Sequence, residues 1–191
     1  HYASEHPGCG LDADAVLAEV RAARAACRSR VEINDHYYAT FAGQSRAAVR
    51  ASAERLVEAG GLRPKPMMVD RLEAHRRDGD GIVVVSGSSR DIIEPLLRRL
   101  GITDTLCAEP ETRDGRYTGR LLARAIGPHK AERLRDFCAA HHVDRSRCTA
   151  YGDDISDAPM LSEVGRSVAV DPEPRLAGLA RDRGWEILTT R

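Results

Sequence analysis

The sequence predicts an α/β protein in which a parallel β-sheet follows a small helical module. Two observations support this prediction. Before residue 60, apolar residues recur at helical spacing, whereas from Gly81 onward short β-branched runs alternate with helical stretches. Such alternation of strand and helix indicates parallel strands joined by right-handed crossovers.

The N-terminal third of the chain has the pattern of a helical module. Residues 1–10 are expected to be an irregular lead-in because Pro7, Gly8 and Gly10 break regular structure. Helices are then predicted from near Asp12, over 31–41, over 45–59 and over 67–77. We therefore expect a helical domain over 10–62, followed by an α/β domain over 63–191.

The remainder of the chain alternates between strands and helices. Residues 82–85 form a continuous β-branched run, which is typical of a strand buried on both faces. Further strands are predicted over 105–108, 117–121, 147–151, 167–170 and 186–189, and helices over 91–100, 130–141, 159–164 and 174–183.

Charge and composition narrow the functional classes. The 191 residues include 29 basic and 29 acidic side chains, so nothing marks the chain as a binder of nucleic acid or of an anionic membrane. The apolar runs are shorter than a membrane span, and the first residues lack the pattern of a signal peptide. The five cysteines contain no Cys-x-x-Cys pair, so reduced thiols are expected. We therefore expect a cytoplasmic protein.

Three carboxylates follow the predicted strand 147–151. Asp153, Asp154 and Asp157 come directly after Gly152, at the strand end where open α/β sheets bind ligands. Their charges repel one another unless a cation or hydrogen bonds offset them, and oxygen ligands on a short loop suit Mg²⁺. The alternative is an acidic turn whose Asp residues cap the next helix.

A serine and a glycine lie where the predicted strand 82–85 gives way to a helix. Ser86 and Gly87 would place a hydroxyl and free backbone N–H groups at the positive end of that helix, which suits a phosphate. Alternatively, Ser88 or Ser89 only caps the helix, with Asp91 in capping-box spacing to Ser88.

Lys130 opens a predicted helix after Gly127, Pro128 and His129. The helix dipole opposes a cation at this end, so the position of Lys130 is better explained by a nearby anion. The alternative is a lysine that is simply solvated.

In combination, these features resemble the ordered motifs of the haloacid dehalogenase (HAD) superfamily, and specifically its phosphoserine-phosphatase-like branch. The resemblance covers residues 80–191. Ser86 matches the second motif, Lys130 the third, and Asp153 with Asp157 the fourth. Residues 114–119 and 169–172 also resemble segments of that branch.

The resemblance implies a Rossmannoid sheet with a small helical cap over 10–62. It also implies Mg²⁺-dependent hydrolysis of a small phosphorylated metabolite through an aspartyl-phosphate intermediate. Ser86 and the Gly87 amide would bind the transferring phosphoryl group, and Lys130 would neutralise both nucleophile and phosphate. Ser86 and Lys130 are thus the catalytic residues expected in this numbering.

The resemblance assigns the metal to the acidic loop, the segment that carries Asp153, Asp154 and Asp157. Asp153 would hold Mg²⁺, and Asp157 would orient the groups around the ion without touching it. Asp154 is a further candidate at a position where the branch often has glycine.

The family's first motif, a strand ending Asp-x-Asp-x-Thr that supplies the nucleophile, has no counterpart here. Residues 11–16 imitate its letters, but residues 7–10 cannot be a buried strand and Val16 replaces the threonine, so Asp12 is expected to cap a helix. We expect the nucleophile upstream of residue 1, in an N-terminal segment of the same gene product that lies between strands 82–85 and 149–151. The alternative is a catalytically inactive HAD-fold binding or scaffold protein.

Overall fold

A computed structural model of the chain describes residues 1–6, 10 and 12–190. The described residues do not include Pro7, Gly8, Cys9 and Leu11. The prediction that residues 7–10 are not a buried strand therefore falls mostly outside the described residues. The chain divides into two compact units, residues 1–63 with 86–124 and residues 64–85 with 125–191. The domains expected over 10–62 and 63–191 stay a prediction.

The described helices and strands largely follow the predicted order. The helices are α1 (Tyr2–Glu5), α2 (Ala13–Ala25), α3 (Arg30–Ala39), α4 (Arg46–Glu58), α5 (Pro66–Arg77), α6 (Arg90–Arg99), α7 (Pro128–Ala140), α8 (Ala158–Leu161) and α9 (Pro174–Arg183). The strands are β1 (Val83–Ser89), β2 (Asp104–Arg113), β3 (Arg116–Ala123), β4 (Thr149–Gly152), β5 (Arg166–Val170) and β6 (Glu186–Leu188). None of the described helices is long and apolar enough to cross a membrane.

Side chains at helix starts explain why the N-terminal helices begin where they do. Asp12 accepts a hydrogen bond from the Ala15 amide at 3.0 Å, which confirms it as the N-cap of α2. Ser29 begins α3 in a capping box with Glu32.

The short helix α1 is a departure from the expected irregular lead-in. Its turn is closed by the Glu5 amide, which donates to the His1 carbonyl at 3.0 Å. Arg55 of α4 then donates to both Glu5 carboxylate oxygens, at 2.7 and 2.9 Å. This contact, distant in sequence, gives the segment a partner that local sequence could not reveal.

The first sheet has the order β1-β2-β3, and β2 and β3 are antiparallel. Parallel strands were expected throughout, but the two-residue turn at Asp114 and Gly115 can join only antiparallel neighbours. Strand β1 also continues through Ser86 to Ser89 instead of ending at Val85.

The second sheet, with the order β4-β5-β6, is parallel as predicted. Its apolar core joins α8, β5 and α9 through Leu161, Ala169, Leu176 and Ala180, each with no exposed surface. The α/β class is therefore confirmed. This sheet holds β4 in place, and β4 leads into the acidic loop.

Strands β1 and β4 belong to different sheets in the described structure. Among the described residues, β1 and β4 do not pair directly with each other. Direct pairing would have contradicted the strand expected between them. The intervening strand itself stays a prediction.

Candidate active site

The acidic loop begins at Gly152, the last residue of β4, and continues through a 3₁₀ turn at Ile155–Asp157. A Cβ atom at Gly152 would lie 2.6 Å from the Asp157 Cβ and 2.8 Å from its Oδ2. The loop can therefore fold back on the end of the strand only because residue 152 has no side chain.

Asp157 connects the loop to Lys130. Its Oδ2 accepts hydrogen bonds from the Asp153 amide at 3.1 Å and the Asp154 amide at 3.3 Å. Its Oδ1 lies 2.6 Å from Lys130 Nζ. Both side chains are largely buried, with 6% of Asp157 and 12% of Lys130 exposed. Because both oxygens are engaged by protein donors, this geometry suits a carboxylate that orients its neighbours.

Lys130 is placed by the start of α7. Gly127 precedes the helix at φ 56° and ψ −133°, a backbone conformation that is essentially restricted to glycine, and Pro128 follows as the first helical residue. The ammonium of Lys130 then meets Asp157, the anion that offsets the opposing helix dipole. The alternative of a solvated lysine is wrong.

The other two carboxylates of the loop have different environments. Asp154 Oδ1 accepts a hydrogen bond from the Ser156 amide at 2.9 Å, so the capping alternative is correct for this residue. The Asp153 carbonyl accepts from the Glu173 amide at 2.9 Å, which fixes the backbone there. Within the described ranges, no hydrogen bond or ion pair involves the exposed Asp153 carboxylate. Asp153 is therefore the carboxylate of the loop that remains open to a ligand.

The carboxylates of the acidic loop could supply part of a metal site. Among the described residues, no group of three or more His, Cys, Asp or Glu side chains could hold a metal ion. Mg²⁺ usually keeps several waters and binds through one or two carboxylates. Asp153 fits one such ligand, and the others would come from water, substrate or further carboxylates.

The predicted phosphate-binding serine lies in the other unit, in β1. The Ser86 hydroxyl accepts a hydrogen bond from the Ser88 amide at 3.1 Å. The Gly87 carbonyl accepts from Tyr38 Oη at 3.0 Å and from Asn34 Nδ2 at 3.2 Å, both from α3. The sequence did not predict either contact, because no local pattern links α3 to Gly87.

The capping alternative for this segment is wrong. Ser89 occupies the N-cap position of α6, but its side chain makes no capping hydrogen bond. Asp91 is instead held by Arg46, at 2.8 and 3.0 Å, and by the Tyr117 hydroxyl at 2.9 Å. Burial opposes ionisation of Asp91, but these hydrogen bonds outweigh it and hold its pKa below the usual value.

The structure therefore brings part of the predicted site together. Lys130, Asp153, Asp154 and Asp157 share one unit and one continuous set of contacts. That Ser86 meets Lys130 on a single anion stays a prediction.

Comparison with known proteins identifies the class. Residues 3–162 match the model of the haloacid dehalogenase-like hydrolase family, which is most of the chain. The chain belongs to this family.

The named relatives are phosphatases, and a phosphoserine phosphatase among them confirms the phosphoserine-phosphatase-like branch. Phosphoserine phosphatase SerB1 of Mycobacterium tuberculosis is 39% identical over 116 residues, covering 60% of this chain and 38% of that protein. A histidinol-phosphatase of Neisseria meningitidis is 31% identical over 128 residues, covering 64% of this chain and 58% of that protein. The chain thus spans less than two thirds of the length of either relative.

Solved structures share the fold. A protein of unknown function from Bordetella pertussis superposes with a TM-score of 0.83 at 23% identity, covering 100% of this chain and 88% of that one. A substrate-bound phosphoserine phosphatase gives 0.65 at 16% identity, covering 84% of this chain and 71% of the other.

Proposed function

We propose that this protein hydrolyses a phosphomonoester of a small metabolite through an aspartyl-phosphate intermediate. The nucleophilic Asp would be supplied by an N-terminal segment of the same gene product. Membership of the haloacid dehalogenase-like family supports this proposal, as do the phosphatases among the named relatives. The protein would act in the cytoplasm, with neither nucleic acid nor membrane as a partner.

The buried ion pair of Lys130 and Asp157 is the observation that carries the proposal. Taking two charges out of water has a high cost, so a pair placed against a helix dipole is poorly explained by stability alone. An ammonium group has three N–H donors, and Asp157 Oδ1 accepts one of them. The other two could meet a phosphoryl oxygen and the nucleophilic carboxylate, where they would stabilise charge in the transition state.

The acidic loop would hold the metal. Asp153 would be the ligand from this chain, and Asp157 would keep it in place through the Asp153 amide. When bound, Mg²⁺ would neutralise charge on the phosphoryl group. Asp154, which caps the turn, would act by shaping the loop.

The segment after residue 85 would bind the phosphoryl oxygens. The Ser86 hydroxyl accepts a hydrogen bond from the Ser88 amide, so its own proton is left to donate. The Gly87 amide would be a second donor. Both groups are neutral and would complement the charge of Lys130.

The test is turnover of a panel of phosphomonoesters by the complete gene product, with and without Mg²⁺. Lys130→Met should lower kcat/KM by at least about 100-fold, as expected for a lost donor to transition-state charge. Lys65, the only other lysine of the sequence, provides the matched control, and Lys65→Met should retain activity. Full activity of Lys130→Met would contradict the proposal. Failure of the unmodified protein to act on any ester would instead favour an inactive scaffold.

A further inference from the structure

We propose that Asn34 and Tyr38 of helix α3 are positioning residues for the Ser86 hydroxyl, on which they act through the Gly87–Ser88 peptide. This inference rests on the proposed function, because it takes Ser86 as a phosphate-binding group. It adds two residues, both from the N-terminal helices, to those that the motifs identify.

Both residues act on one carbonyl oxygen. Asn34 and Tyr38 are four positions apart, so they project from the same face of α3. They donate to the Gly87 oxygen at 3.2 and 3.0 Å, and a carbonyl oxygen has two lone pairs. The acceptor capacity of this oxygen is therefore filled, and the direction of its carbonyl bond is fixed. Tyr38 is 3% exposed, so the packing around its buried side chain holds the hydroxyl in place.

The peptide group transmits this constraint to Ser86. A trans peptide is planar, and its C=O and N–H point in opposite directions. Fixing the Gly87 carbonyl therefore aims the Ser88 N–H, which donates to Ser86 Oγ at 3.1 Å. Because the Ser86 oxygen accepts this bond, its proton points elsewhere and the hydroxyl becomes a stronger donor.

Helix α3 has further attachments besides these two hydrogen bonds. Asp35 of the same helix is held by Arg124 through two bonds of 2.7 and 2.8 Å, and Ile33 is buried. Asn34 also has a buried Oδ1 without a hydrogen-bond partner among the described residues, a cost that an apolar side chain would avoid. The hydrogen bond from Asn34 Nδ2 to the Gly87 carbonyl explains why an amide side chain occupies this position.

A double-mutant cycle tests the path through Ser86. In the complete gene product, Tyr38→Phe and Asn34→Leu should each lower kcat/KM about 3- to 10-fold, the worth of one hydrogen bond. In a Ser86→Ala background, the same changes should lower it less than about 2-fold, because the group that they orient is gone. Equal losses in both backgrounds would overturn the proposal, as would no loss in either.

Tyr117→Phe is the matched control, because it removes a buried hydroxyl that bonds to Asp91 in the same unit. It should lower stability and leave kcat/KM within about 2-fold, since a hydroxyl away from Gly87 does not orient Ser86. A loss that equals that of Tyr38→Phe and likewise disappears in the Ser86→Ala background would attribute the effect to stability and overturn the proposal.

Hydrogen exchange of the Ser88 amide tests the geometry without turnover. By NMR of the ¹⁵N-labelled protein, the Ser88 exchange rate should rise about 3- to 10-fold in the Tyr38→Phe, Asn34→Leu double variant and stay unchanged in Tyr117→Phe. An unchanged rate in the double variant would refute the positioning role. If the unmodified protein proves inactive, the proposed function fails, and this measurement still decides whether α3 orients the peptide.

Discussion

Asp157→Asn should destabilise the protein strongly, although it barely changes the shape of the side chain. The neighbours of Asp157 are all donors, namely the Lys130 ammonium at 2.6 Å and the amides of Asp153 and Asp154. An asparagine would present its NH₂ group to one of them, and the largely buried Lys130 charge would lose its counterion. Removing one partner of a buried ion pair costs about 3 to 5 kcal/mol. That is a large part of the roughly 5 to 15 kcal/mol that stabilises a typical domain.

Urea unfolding followed by circular dichroism measures this effect, and Asp153→Asn is the control. Both changes replace a carboxylate by an amide in the same loop, but the Asp153 carboxylate is exposed and has no partner in the described part of the chain. Its loss should change the free energy of unfolding by less than about 0.5 kcal/mol. In the complete gene product, however, Asp153→Asn should weaken Mg²⁺ binding at least about 10-fold by calorimetry, because it replaces the carboxylate proposed to bind the ion with a neutral amide.

Two outcomes would refute this reasoning. One is a loss of less than about 1 kcal/mol in Asp157→Asn, which would mean that the pair with Lys130 is not held in a buried environment. The other is an equal loss in both variants, which would mean that loop charge in general, and not the pairing of Asp157, stabilises the protein.

Further predictions concern the loop, the start of α7 and Asp91. Gly152→Ala should cost about 1 to 3 kcal/mol in urea unfolding, because its Cβ would lie 2.6 Å from that of Asp157; an unchanged midpoint would contradict the close approach. Gly127→Ala should cost about 1 to 3 kcal/mol and reduce turnover with it, because alanine resists the backbone angles from which α7 begins. Burial raises the pKa of Asp91, but hydrogen bonds, chiefly from Arg46, outweigh it and hold the folded pKa below the unfolded value of about 4. The ionised form of Asp91 therefore stabilises the fold above the unfolded pKa. This stability is lost as pH falls through the lower folded pKa. Urea midpoints between pH 7 and 3 should therefore fall less steeply in Asp91→Asn, and identical slopes would contradict this.

The sequence by itself determined the features that depend on neighbours along the chain. The helix α9 has the predicted bounds because Pro174 favours the first helical position. Asp12 was correctly identified as an N-cap because a cap bonds within three residues. The parallel strands β4 to β6 follow from their alternation with helices.

The order of the family motifs was equally visible, since it is a property of the linear chain. Ser86, Lys130 and Asp153 occur in an order that resembles the second, third and fourth motifs of the family, and all three lie within the residues 3–162 that the family model matches. The antiparallel pairing of β2 with β3 could also have been predicted, because the turn at 114–115 is a hairpin signal. Its meaning was obscured by the α/β alternation around it.

Only the tertiary structure showed the contacts of the three carboxylates of the acidic loop. The motif resemblance assigned different roles to Asp153, Asp154 and Asp157, and in the structure one is exposed, one caps a turn and one pairs with Lys130. Their roles depend on which donors approach each oxygen, and the ammonium comes from 27 positions away. Hydrogen bonds of this kind are directional and short, so they form only after the chain has brought distant elements together.

The contacts of helix α3 with Gly87 were decided in the same way. Asn34 and Tyr38 lie 53 and 49 positions from the carbonyl that they bind. Nothing in the local sequence predicts these contacts, because helical periodicity places the two residues on one face without saying what that face meets. The sequence determines which groups can donate and accept, and packing of the folded chain determines which of them meet.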